Sequence, residues 1–132
     1  MKYILNLVYQ HWLPVCALLL ATITMLSLWP AESLPEVPGN DKIHHYIAYA
    51  ALMFPLALRR PDRWLWIGLC FFAWSGSIEL IQPYVHRYGE WADLAANGAG
   101  LMSGLMIALL FARLYRFDSG QSQLISNDQV NL

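Results

Sequence analysis

Three stretches of this chain run for close to a membrane's thickness without a Lys or Arg: Trp12 to Trp29, Trp64 to Ile81 and Ala92 to Ala112. A bilayer's hydrocarbon core takes about 20 residues of apolar helix. The only carboxylates in these runs, Glu79 and Asp93, stand close to an end. Composition agrees: 58% of the 132 residues are hydrophobic and 13% are charged, about half the charged share of a soluble domain. A fourth run, Ile43 to Leu58, is shorter and carries histidines, tyrosines and Pro55. Proline in a membrane helix is tolerated when neighbours satisfy the freed carbonyl, here that of Ala51, and a kink is expected there.

The chain therefore reads as an all-α integral membrane four-helix bundle. One domain covers residues 1–117, with spans at about 12–29, 43–58, 64–81 and 92–112. Trp12, Trp29, Trp64, Trp66 and Trp91 stand at run ends, the headgroup level that indoles prefer. The first run lacks a small-x-small cleavage pattern and ends in Leu28-Trp29-Pro30, so it reads as a retained span rather than a signal peptide. Residues 118–132 are polar without periodicity and are expected to be a disordered tail.

Lys and Arg near span ends set orientation, because positive loops stay cytoplasmic. Lys2, Arg59, Arg60, Arg63, Arg113 and Arg116 fall on one side, Lys42 and Arg87 on the other. Both termini are then cytoplasmic, and the stretches Pro30 to Lys42 and Gln82 to Trp91 face outward. The first carries three prolines and reads as an extended connection. A net charge of −1 gives no basis for attracting nucleic acid. Cys16 and Cys70 sit inside apolar runs, where cysteine behaves as a small hydrophobe, so no disulfide, metal or cofactor is predicted.

The last span repeats small residues every four positions: Ala92, Ala96, Gly100, Gly104, Ala108 and Ala112. Such a stripe lets another helix approach closely. Packing within the bundle is the first expectation, and a homodimer through the last helix is the second.

The ionisable residues converge on one depth. Asp41 and His45 are i and i+4 at the start of the second span, with Lys42 and His44 beside them. Glu79 and Gln82 are i and i+3 at the end of the third, and Asp93 and Asn97 are i and i+4 at the start of the fourth. Arg87 lies in the connecting loop. Polar groups in membrane spans are costly and usually face a bundle interior or wet cavity. Asp41 and Asp93 suit helix N-termini, where a carboxylate complements the macrodipole. Glu79 opposes the dipole at a C-terminus and needs a cation or a proton; Lys42, Arg87 or a protonated His45 is the expected partner, in a structural ion pair or a functional site.

Two helix N-termini aimed at one level attract anions. With Lys42 and Arg87 they make a candidate site for a phosphate, pyrophosphate or carboxylate, with Asp41, Gln82, Asp93 and Asn97 as further ligand-binding residues. His45 and Glu79 are the candidate acid and base.

Taken together, Asp41-Lys42-x-x-His45-Tyr46, Glu79-x-x-Gln82, Arg87 and Asp93-x-x-x-Asn97-x-x-Gly100 resemble the VanZ-like family over about residues 41–108. Tyr46 stands where that family commonly has Phe. The resemblance implies a multi-pass protein of the bacterial inner or plasma membrane. Its namesake is associated with resistance to the glycopeptide teicoplanin, without an agreed mechanism. On that basis the expected function is binding of an anionic, lipid-linked envelope intermediate at the outer face, in contact with membrane lipids. The rivals are an enzyme using His45 and Glu79 on a lipid-linked substrate, and an assembly partner working through Ala96, Gly100 and Gly104. A transporter is disfavoured because no polar chain runs through to the cytoplasmic side.

Overall fold

A computed structural model describes residues 2–29, 41–86 and 89–115. Most of the connection after the first span, Arg87 and the expected disordered tail lie outside the described residues. What is described is helical: α1 (Lys2–Gln10), α2 (Trp12–Leu28), α3 (Asp41–Arg59), α4 (Trp64–Ile81) continued by a 3-10 turn (Gln82–Val85), and α5 (Trp91–Leu114). The four apolar runs each become a helix, with bounds within three residues of those expected.

The segment Trp64–Val85 and the helix Trp91–Leu114 are each long and apolar enough to cross a membrane. A third crossing arises if α1 and α2, bent by 83° at His11, form one broken span. Alone, α2 has 17 residues. The helix α3 does not reach that apolarity, because two histidines, two tyrosines, Asp41, Lys42 and Arg59 lie among its 19 residues. It is instead the sheltered element: Tyr49, Leu52, Leu56 and Ala57 have at most 1% of their surface exposed, and α3 packs against each of the other four helices. It runs as a single helix through Pro55.

The surface supports a lipid environment independently of helix length. Leu18, Met25, Leu65, Trp66, Leu69, Met102, Met106 and Leu110 are exposed, while Ser75, Glu79, Gln82, Asp93 and Asn97 are buried. A soluble protein does not present so extensive an apolar surface, whereas a bundle in lipid hides its polar groups among the helices.

Residues 2–10, ahead of the first expected span, also form a helix. Leu5, Val8, Tyr9 and Trp12 follow the i, i+3, i+4, i+7 pattern of one face, and that face packs on the core. Arg59 at the end of α3 donates to the Tyr9 hydroxyl at 2.6 Å and lies 4.6 Å from its ring centroid.

The tightest contact is between α3 and α5. A Cβ placed on Gly100 would meet the carbonyl of Tyr46, and one on Gly104 the carbonyl of Ala50, both well inside contact distance. One turn further on, Ala108 is fully buried. Gly100 and Gly104 of the small-residue stripe are thus packed on α3 within the chain. The outcome follows from membrane packing, where lipid gives no hydrophobic drive between helices and close backbone approach supplies the contact energy.

Gly100→Ala and Gly104→Ala are each expected to cost about 3 kcal/mol or more, since backbone rather than a yielding side chain stands in the way. At Gly76 a Cβ would meet only a Leu94 methyl at 3.9 Å. Gly76→Ala should therefore leave the melting temperature unchanged or raise it. Thermal unfolding in detergent, followed by far-ultraviolet circular dichroism, checks both.

Candidate functional site

The face of α4 that turns inward carries Phe71, Ser75, Ile78 and Glu79, and the following turn adds Gln82. These positions follow helical spacing, so one stripe delivers three polar side chains to the interior. Opposite it, α3 brings His45 and α5 brings Asp93 and Asn97, all buried. Close packing at Gly100 sets this level, since His45 precedes Tyr46 on α3 and Asn97 lies three residues before Gly100 on α5.

Asn97 is the hub. Its Nδ2 donates to Ser75 Oγ at 2.7 Å, and its Oδ1 lies 3.0 Å from His45 Nδ1. With the amide oxygen turned to the imidazole, this contact is a hydrogen bond in the tautomer that carries its proton on Nδ1. Nε2 is then left with a lone pair available to a proton, a metal or a ligand. Asn97 is 1% exposed and Ser75 fully buried, and the buried Tyr49 stands beside Ser75, so this relay is fixed within the core.

Two carboxylates stand next to it. Glu79 accepts the backbone N–H of Glu90 on Oε2 at 3.2 Å, while Oε1 is buried without a hydrogen bond. Asp93 Oδ1 is likewise buried without a hydrogen bond; the nearest cation, Lys42 Nζ, is 3.6 Å away. Its place in the first turn of α5 suits the helix dipole. Lys42 is instead held by Glu90, to which it donates at 2.7 Å. That carboxylate raises the Lys42 ammonium above its ordinary value, so it stays charged at physiological pH. Lys42 is therefore not the partner of Glu79 that the sequence suggested. Glu79 lies instead within electrostatic reach of His45, Asp93 and Asp41.

Gly89 makes the loop contact possible. A Cβ there would meet the Glu79 carbonyl, so only glycine lets this strand of loop lie against the end of α4 and present the Glu90 amide.

Of the expected site residues, Asp41, His45, Glu79, Asp93 and Asn97 come together, with Lys42 at the rim. Gln82 is buried but faces elsewhere, donating to the Ser27 carbonyl of α2 at 3.2 Å. Its Oε1 has no hydrogen bond. Arg87 falls outside the described residues. Ser75 and Glu90 were missed. Ser75 was legible as the residue four before Glu79 on one helical face, whereas nothing local pairs Glu90 with Lys42, 48 residues away.

The assembled centre is acidic. Asp41, Glu79, Glu90 and Asp93 outnumber Lys42 and the imidazole of His45, so an anion is held there only together with a cation. Comparison of the chain with family models, with curated proteins and with solved structures finds no match.

Replacing Asn97 by Ala strands both Ser75 and His45 in the core. A cost of about 2–4 kcal/mol is expected, near the sum of two buried groups losing a partner. Lys42→Met, at the solvated rim, should lower the melting temperature far less. Parallel thermal melts of the two variants in detergent measure the difference.

Proposed function

We propose that this chain is a multi-pass protein of a bacterial plasma membrane that binds a polar, anionic headgroup of a lipid-linked envelope intermediate, and so affects envelope integrity or glycopeptide sensitivity. The observation that carries this reading is the Ser75–Asn97–His45 relay. A buried, fully hydrogen-bonded support behind one imidazole nitrogen is what a site needs to hold its other nitrogen in a fixed direction. The two buried carboxylates beside it, each with an oxygen that makes no hydrogen bond, mark a place where burial costs stability and function is the usual compensation.

The membrane setting rests on the apolar exterior and the long helices. In this reading α3 is a fourth crossing, sheltered from lipid by α2, α4 and α5, and both termini lie in the cytoplasm. The basic residues Arg59, Arg60, Arg63 and Arg113 then mark the cytoplasmic end, and the acidic centre lies at the opposite one. The link to the envelope and to teicoplanin rests on the resemblance of the Asp41 to Gly100 pattern to the VanZ-like family. An alkaline phosphatase fusion after residue 115 should be inactive and a green fluorescent protein fusion there fluorescent; the reverse pair would invert the orientation.

One observation favours a second reading, acid–base catalysis on the same substrate class. With Nδ1 protonated, His45 presents Nε2 as a base, and Glu79 lies within its field; a carboxyl group and an imidazole in one dry site can pass a proton between them.

The deciding experiment expresses the wild-type chain and a Glu79→Gln, His45→Ala double variant in a Gram-positive host at equal membrane abundance. Wild type is expected to raise the teicoplanin minimum inhibitory concentration several-fold, and the variant to leave it at the vector level. Protection by both chains sinks the site, and protection by neither sinks the envelope reading. Altered lipid-linked precursors in extracts of the wild-type strain alone would favour the catalytic version.

A further inference from the structure

Asp41, His45 and Asp93 come from two helices, yet each places a potential donor atom within 4.8 Å of the other two. His45 and Asp93 are buried, at 8% and 4% exposure. Asp93 is a carboxylate buried among apolar helices, and the desolvation cost of its charge calls for a cation beside it. Lys42 answers only part of this, since its short contact is to Glu90 and its distance to Asp93 is 3.6 Å.

A separate observation points the same way. Glu79, on a third helix, is 92% buried, and its Oε1 has no hydrogen bond. Its other oxygen accepts the backbone N–H of Glu90, the residue whose side chain holds Lys42 at the rim of the cluster, so Glu79 borders the same centre. The imidazole is also arranged as ligating histidines are: the far ring nitrogen is pinned to an amide oxygen, which is pinned in turn. Such support fixes the tautomer and raises the basicity of the ligating nitrogen.

We propose that Asp41, His45 and Asp93 bind a single divalent transition-metal ion, of the Zn²⁺ or Mn²⁺ class, between α3 and α5, with the Glu79 carboxylate of α4 bordering the site. Two carboxylates and one imidazole form a mixed oxygen–nitrogen set, which suits these ions better than Mg²⁺ or Ca²⁺, whose protein ligands are oxygens. Donors on one ion at about 2.1 Å stand roughly 3.4 Å apart in a tetrahedral site. The donor atoms of Asp41, His45 and Asp93, within 4.8 Å of one another, close to that by side-chain movements on the order of 1 Å. The ion takes over Asp93 from Lys42, which keeps its contact to Glu90. Metal binding does not depend on the function proposed above. If that function holds, the ion supplies the positive charge through which an otherwise acidic centre holds an anionic headgroup.

The test uses the full chain purified in detergent, stripped with chelator and titrated with Zn²⁺, Mn²⁺ and Mg²⁺ by calorimetry, with bound metal counted by mass spectrometry after desalting. Wild type is expected to retain one Zn²⁺ or Mn²⁺ per chain, to bind Mg²⁺ at least ten-fold more weakly, and to melt at a higher temperature when loaded. Asp93→Asn and His45→Ala should each weaken binding at least ten-fold, and Asn97→Ala, which touches no ion, by about ten-fold. Far-ultraviolet circular dichroism verifies that each variant remains helical. If Asp93→Asn does not, Asp41→Asn on the exposed side of the cluster takes its place. Retention of less than a tenth of an equivalent by wild type, or equal retention by the helical variants, overturns the site. Because stoichiometry is read without any antibiotic, a chain that holds metal and gives no teicoplanin phenotype sinks the envelope reading alone.

Discussion

The contact on which the rest of the structure depends is the approach of α5 to α3 at Gly100 and Gly104. With no side chain at either position, the two helices come together backbone against carbonyl. In lipid no expulsion of water drives helices together, and attraction grows with how many atoms touch. Small residues at four-residue spacing are the cheapest way to obtain such contact. The polar centre is placed by reference to this pair, because Asn97 and Asp93 lie one and two turns before Gly100, and His45 and Asp41 lie at the same end of α3.

Fixing that pair creates the conditions for the polar centre. Once α3 and α5 are in register, His45 has little choice but to meet Asn97, and α4 completes the network with Ser75. A hydrogen-bonded network in a low-dielectric interior stabilises when every member is satisfied and costs heavily when one is not. Here both occur side by side: the Ser75–Asn97–His45 relay is satisfied, whereas Glu79 Oε1 has no hydrogen bond and Asp93 Oδ1 has only the Lys42 ammonium at 3.6 Å. A core under selection for stability alone would have lost those carboxylates, since apolar replacements of buried charges are often neutral or stabilising. Their presence is the physical argument that the centre has work to do.

The two ends of the bundle differ for a reason rooted in the same constraint. Arg59, Arg60, Arg63 and Arg113 sit where α3 hands over to α4 and where α5 ends, and Arg59 is anchored on Tyr9 of α1. Long basic side chains reach water or headgroups from a helix end without burying their charge. The carboxylates have shorter stems and cannot do this from within a helix–helix seam, so they depend on partners brought to them.

By itself the sequence determined the helical class, the positions of four helices and the depth at which polar residues gather. Those follow from run length and three-to-four-residue spacing, which are local properties. It also flagged His45, Glu79, Asp93 and Asn97 together, because each breaks an apolar run near one end. The amphipathic first helix and Ser75 are equally legible, the one from its i, i+3, i+4, i+7 apolar face and the other from its place four residues before Glu79. Only the tertiary structure decided who partners whom. Lys42 goes to Glu90 rather than Glu79, Gln82 turns to α2, and Gly100 and Gly104 pack on α3 within the chain. Those choices hinge on helix register and on a loop that Gly89 allows to lie flat, and neither is encoded in any single segment.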